Sequence, residues 1–230
     1  TQYGVFVLAG PDARRVLEQL ADADVSNEGF KWLTAKEMTV GFAPKVRALR
    51  VNFVGSLGWE LHHPIEMQNY LFDLLEAAGA AHGMKLVGAR AQNWLRLEKS
   101  YRAFGNELGR DATPLEADLP RFVDLTKAFN GKDAMQALGV RSKCVTMLID
   151  GPDDADPWGR EAVYTPEGER VGRLTSGGYS VAFERAIGLG YVRPELAVPG
   201  TKLQVKILDQ LWPAEVTEDS PYDPSNKVIR

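Results

Sequence analysis

Apolar residues recur along this chain with two periods in the first part and with one in the last. Val5-Phe6-Val7-Leu8, between Gly4 and Ala9 and closed by Gly10-Pro11, predicts a short strand. Ala13, Val16, Leu17, Leu20 and Ala21 then fall at helical spacing after Pro11, whose missing N–H is not needed in a first turn. Glu37 to Phe42 and Lys45 to Val54 read as strands separated by Ala43-Pro44. Met67, Tyr70, Leu71, Leu74, Leu75 and Ala78 keep the helical period, with Gly79 just past the last of them. A second helix runs from about Gly88 to Tyr101, with Ala91, Trp94, Leu95, Leu97 and Tyr101 on its apolar side. Arg90, Arg96, Glu98 and Lys99 fill the remainder and read as a solvated face. Turns at residues 113–117 and 127–132 follow, the second opening a short helix from Asp133 to Leu138 that Gly139 ends.

From Ser142 the period shortens. Apolar runs recur at Cys144–Ile149, Glu161–Tyr164, Arg170–Thr175, Ile187–Val192, Lys202–Leu208 and Ala214–Glu218. Leu203, Val205 and Ile207 alternate with Lys202, Gln204 and Lys206, as in a strand buried on one side. Short strands at this spacing predict a small β-barrel or sandwich. The expected fold class is α+β: a mixed α/β body over residues 1–139, then a C-terminal β-barrel over residues 142–230. Residues 151–157, rich in Asp and Pro, read as a mobile loop.

Composition narrows the function classes. With 44% hydrophobic and 25% charged residues the 230-residue chain is an ordinary globular one. Its net charge of −4 and scattered Lys and Arg leave no basic footprint for nucleic acid. No apolar run approaches the roughly 20 residues that cross a bilayer, so no membrane partner is expected. No signal-peptide pattern opens the chain, and the single Cys144 excludes an internal disulfide and a Cys-cluster metal site. Both suit a reducing, cytoplasmic compartment. Thr1 runs almost at once into a strand, so a segment of a longer protein is expected.

Candidate chemistry gathers at residues 50–64. They read as an apolar strand from Arg50, a tight turn at Gly55-Ser56-Leu57-Gly58, and a second strand stopped by Pro64. Alternation sends Trp59 and Leu61 to one side and Glu60 and His62 to the other. A carboxylate beside large apolar residues suits a ligand with two adjacent N–H donors, which it can accept together. Spacing alone favours the alternative, an exposed Glu on an edge strand. His62 and His63, being adjacent on a strand, point apart and make a poor metal pair. Cys144 reads as an inert packing thiol. No nucleophile elbow, Walker loop or dinucleotide glycine fingerprint occurs in the right context.

Several motifs in order do resemble one family. They are Val54-Gly55-Ser56-Leu57-Gly58-Trp59-Glu60-Leu61, the run Leu95 to Gly105, Thr113-Pro114-Leu115-Glu116-Ala117 and the run Lys127 to Ala134. Downstream come Gly172 to Tyr179, Ile187 to Val192 and Ser220 to Lys227. Together these resemble the glycine cleavage T-protein (aminomethyltransferase) superfamily, and the ending looks closest to the folate modules of dimethylglycine and sarcosine dehydrogenases. Gln92 stands where T-proteins proper carry Arg, which favours the dehydrogenase branch. Phe53 replaces a common Tyr, Ser56 a common Glu, and Ser100 and Asp118 occupy positions that are often Gly.

The resemblance implies tetrahydrofolate binding and one-carbon transfer, in which folate captures an amine-borne methylene. It implies that Glu60 holds the pterin, with Trp59, Tyr101 and Tyr179 as flanking residues, Tyr179 following a Thr-Ser-Gly-Gly turn. It further implies a small-molecule amine substrate and an upstream flavin domain in the parent protein, where any FAD would sit. The family's Asp near the folate lies in a segment upstream of Thr1. These residues alone are therefore expected to be catalytically inactive, and Asp22 and Asp24 do not take that role. Two alternatives stand beside this: a stand-alone folate-dependent aminomethyltransferase or demethylase, and a non-catalytic folate-binding or structural module.

Overall fold

A computed structural model describes residues 2–230. The chain forms two compact units, one running to Gln92 and taking back Ser225–Arg230, the other spanning Asn93–Pro224.

The first unit is a four-stranded antiparallel sheet with helices on one side. Its strands are β1 (Tyr3–Ala9), β2 (Ala35–Val40), β3 (Ala43–Leu49) and β4 (Gly58–Pro64), in the order β1-β4-β3-β2. The helices are α1 (Ala13–Leu17) and α2 (Gln68–Ala80). Leu8, Trp59, Leu61, Val46, Ala48, Met38 and Val40 form the buried side, packed with Val16 and Leu17 of α1 and Leu71 and Leu75 of α2. From the returning tail Ile229 is buried, and the Arg50 guanidinium donates to the carbonyl of Arg230 at 2.8 Å.

Three stretches fold otherwise than their sequence pattern predicts. The first helix stops at Leu17, because Ala21 leaves to bridge Val40 and Leu20 offers its carbonyl to Gly41 at 2.8 Å. The break between β2 and β3 falls at Gly41-Phe42, where Gly41 takes a left-handed φ of 58°, and Pro44 lies within β3. Residues 50–57 are not a strand. The Asn52 Oδ1 accepts the N–H groups of Val54 and Gly55, both at 2.9 Å, and this local turn wins over a ladder. β4 pairs instead with β1 and β3, setting Val7 and Leu49 opposite Glu60.

The second unit takes the chain from inside α3 (Ala89–Glu98) through α4 (Lys132–Leu138) to a barrel. Its strands are β5 (Lys143–Ile149), β6 (Ala162–Tyr164), β7 (Arg170–Ser180), β8 (Arg185–Val192), β9 (Lys202–Ile207) and β10 (Gln210–Val216). They close in the order β10-β5-β8-β7-β6-β9, all antiparallel, and closure leaves no sheet edge. Met147, Ile149, Val163, Leu174, Val205 and Val216 fill the interior. Gly177 and Gly178, read as a turn, lie inside β7, Gly177 against the backbone of Pro157 and Gly178 against Trp94. A Cβ on Gly178 would stand 2.2 Å from the indole.

The packed division does not coincide with the change of texture near Gly139. Residues 93–141 lie on the barrel because a buried ion pair ties them there. Arg96 donates to Glu107 at 2.8 Å with both side chains wholly buried. Glu107 also accepts from Ser176 Oγ at 2.6 Å and Thr175 Oγ1 at 2.7 Å, and its carbonyl accepts from the Tyr191 hydroxyl at 2.7 Å. Arg96, Glu98 and Lys99 are therefore interior groups, contrary to the solvated face that their spacing suggested.

α3 ends in a Schellman turn: Ser100 N donates to Leu97 O at 2.8 Å and Tyr101 N to Arg96 O at 3.0 Å. Ser100 fills the left-handed position with φ 54°, and Asp118 has φ 59°, so both Gly-like positions carry Gly-like backbone. Ser100 compensates through its Oγ, which bonds Thr146 Oγ1 at 2.6 Å and accepts from Ser220 N at 2.9 Å. Left-handed strain in a non-Gly residue is about 1 kcal/mol, and two hydrogen bonds contribute roughly 1 kcal/mol each. Ser100→Ala keeps the strain and loses the bonds, so it should lower unfolding stability by about 2 kcal/mol. Ser100→Gly should fall between Ala and wild type, and urea unfolding of the three gives the order.

Candidate functional site

The pleat of β4 decides which side chains of the Gly-Trp-Glu motif are available. Glu60 and His62 stand on the side of the sheet away from the helices, with side chains 31% and 33% exposed. Val7 and Leu49 flank Glu60 in register, so the carboxylate has apolar neighbours to left and right. Its polar partner is His62, with Nε2 3.1 Å from Oε2. An ionised carboxylate only accepts, so this ring nitrogen carries the hydrogen. Among the described residues no protein group donates to Oε1. Across from His62 lies Arg47, itself 3.7 Å from Glu37 in a half-exposed pair.

Trp59 points the other way. It is wholly buried, 6.3 Å from Phe30, with the guanidinium groups of Arg14 and Arg50 at 5.4 and 5.8 Å from its ring. A ring enclosed in this way packs the core and presents no face to a ligand, which corrects the flanking role implied for it. His63 is buried too, stacked on Phe6 at 4.8 Å with its ring nitrogens 2.9 Å from Leu61 O and 2.7 Å from Gln68 Oε1. Among the described residues no group of His, Cys, Asp and Glu is arranged to hold a metal.

Tyr101 and Tyr179 belong to the second unit. Tyr101 follows the turn that ends α3, and its carbonyl accepts from Arg96 at 2.8 Å. Desolvation pushes its half-buried hydroxyl up in pKa, against the pull of Arg121. Tyr179 stands on β7, 36% exposed, edge-on to Trp94 at 6.3 Å. It lines a cavity of about 540 Å³ together with Asp150, Pro152, Asp153 and Arg185.

Sequence reasoning missed the buried polar set behind these residues. Glu98 accepts from Ser180 Oγ at 2.6 Å and Ala182 N at 3.0 Å, and Lys99 Nζ donates to the carbonyls of Tyr222 and Asp223 at 3.1 and 2.7 Å. Its signal was present: charged residues interleaved with Trp94, Leu95, Leu97 and Tyr101. Glu116 is a further buried carboxylate. Burial raises it, but bonds from Arg141 at 2.8 Å and from Thr113 N at 2.8 Å outweigh burial and hold it at about 2. Burial pushes the Cys144 thiol up to about 12, in keeping with an inert packing role.

Comparison with known proteins gives a consistent result. The family model "GCVT N-terminal domain" matches residues 1–127, and "Glycine cleavage T-protein C-terminal barrel domain" matches residues 143–223. Dimethylglycine dehydrogenase, mitochondrial, of Mus musculus is 37% identical over 223 residues, covering 95% of this chain and 25% of the relative. Sarcosine dehydrogenase, mitochondrial, of Homo sapiens is 33% identical over 239 residues, covering 99% and 26%. The chain thus spans about a quarter of the length of these relatives. The crystal structure of glycine cleavage system aminomethyltransferase T from Bartonella henselae has the same fold, with a TM-score of 0.83 at 24% identity over 99% of this chain and 61% of that one.

Two outcomes follow from the buried charges. Glu107→Ala leaves the Arg96 guanidinium buried without its counter-charge, and should lower stability by about 3–5 kcal/mol in denaturant unfolding. Glu116 titrates lower in the folded chain than its ordinary 4.5, so its contribution is complete above that value and lost as pH falls towards about 2. Acid unfolding should show a loss on the order of 2–3 kcal/mol across this window. Glu116→Gln should flatten that slope.

Proposed function

We propose a function for a chain that belongs to the glycine cleavage T-protein family: it binds a reduced folate through Glu60 and serves one-carbon transfer. The observation that carries the reading is the state of that carboxylate. It is anchored on a strand paired on both sides, flanked by Val7 and Leu49, and has one oxygen without a protein donor among the described residues. A pterin presents a ring N–H and an exocyclic amine side by side, and such a pair matches a carboxylate that is still open to donors. Partial exposure of the side chain fits this, since a closed carboxylate leaves no room for the ring. A bound tetrahydrofolate would supply the nucleophilic nitrogen that takes up the one-carbon unit. What this chain's residues supply is the hold on the pterin.

The finer reading is a folate module within a flavin-dependent demethylase of a methylated glycine or related amine. Similarity to dimethylglycine and sarcosine dehydrogenases supports it, with this chain matching a quarter of each. In such a protein a separate domain would hold the flavin and release the reactive methylene, and this module would keep it from escaping as formaldehyde. The parent reading frame tests this part: an upstream flavin domain agrees with it, and a folate-dependent transferase encoded without one replaces it.

Glu60 itself is tested by calorimetric titration with a stable reduced folate. Each charge-assisted hydrogen bond contributes about 1.5–3 kcal/mol, so Glu60→Ala, losing two, should weaken binding by about 100-fold or more. Unchanged affinity in the variant would remove Glu60 from the site.

A further inference from the structure

We propose that His62 is the positioning residue of Glu60 and makes ligand binding there depend on pH. The inference rests on Glu60 as the pterin-holding carboxylate and deepens that reading by naming what regulates it.

Residues two apart on a strand share a side, so the imidazole of His62 stands beside the Glu60 carboxylate rather than across a turn from it. With Nε2 3.1 Å from Oε2, the ring fixes the carboxylate rotamer while using a single acceptor site. Oε1 and the second lone pair of Oε2 stay open to two parallel N–H donors. An unpinned Glu has three rotatable bonds to order when a ligand arrives, and His62 orders them beforehand.

Protonation changes the arrangement. A neutral ring gives an ordinary hydrogen bond, whereas an imidazolium gives a charge-assisted one and places positive charge next to incoming N–H donors. The acceptor strength of the carboxylate falls, and ligand donors meet a cation. Several groups face His62. They are Glu60 on its own strand and, on β3, Arg47 opposite in register, with Glu37 of β2 lying 3.7 Å from Arg47. On β1 the residue opposite is Val5, with Tyr3 beyond it. Histidine is the side chain whose ordinary titration lies between pH 5 and 8.

The test has one part without ligand and one with it, both on the full chain. NMR titration of the ring resonances follows His62 directly in wild type and in Glu60→Gln. The midpoint should differ between the two proteins, because the variant removes the charged partner 3.1 Å from the ring. An unmoved midpoint overturns the pairing. The second part titrates 5-formyltetrahydrofolate at pH 7.5 and 5.5. Wild type should bind about three- to tenfold more weakly at the lower pH, while His62→Gln, which keeps a donor but does not titrate, should bind alike at both. Equal pH dependence in the two proteins overturns the proposal even where Glu60→Gln loses binding. Full affinity in Glu60→Gln, or no saturable binding by wild type, overturns the pterin reading and the ligand half of this proposal with it. The ring midpoint distinguishes that failure from a failure of the pair.

Discussion

The alternation of one strand governs the first unit. β4 lies inside the sheet, and each residue from Trp59 to His63 goes either to the core or to the open side. Trp59, Leu61 and His63 are wholly buried on the core side, and Glu60 and His62 remain on the other. A slip of one residue would exchange these sets, burying a carboxylate and exposing an indole. The register with β1 and β3 thus decides the placement of Glu60 as well as the packing, since the same apolar residues that fix it also present that carboxylate.

In the second unit polar groups take the organising part. Arg96 and Glu107 are enclosed together, and Glu107 reaches both Ser176 and Thr175 of β7. Glu98 and Lys99 do likewise for the end of β7 and for residues 222–223. A buried pair of this kind contributes little net stability against an apolar replacement, but it tolerates no unmatched partner. It therefore specifies how a long stretch with little regular structure lies on the barrel. Apolar contact alone, being non-directional, would leave that arrangement loosely defined.

Much of this was legible in the sequence, and the reasons differ by element. The barrel strands were readable because their apolar runs are short, evenly spaced and broken by turn residues. α2 was readable because its apolar positions hold the helical period throughout. The nominal strand from Arg50 to Val54 failed because its apolar pattern conceals Asn52, whose side chain captures the backbone of the turn. The charges of α3 failed because their partners lie as far away as Ser176 and Asp223, and local spacing carries no information about such partners. Within the candidate site, alternation already separated Trp59 from Glu60. Only the family resemblance drew Trp59 towards the ligand, and burial returns it to the core. His62 as the partner of Glu60 was available from the same alternation, although the distance was not.

The place of β4 within its sheet has a consequence for association. A residue on a strand hydrogen-bonded along both margins cannot shift its backbone without breaking two ladders, and Glu60 is such a residue. Whatever meets its carboxylate therefore finds main-chain atoms already fixed, and the entropy of ordering that part of the site is lost during folding rather than at each encounter. Recognition at Glu60 would then depend on complementary geometry more than on adaptation. A differently spaced pair of donors would find a strand that does not move to meet it.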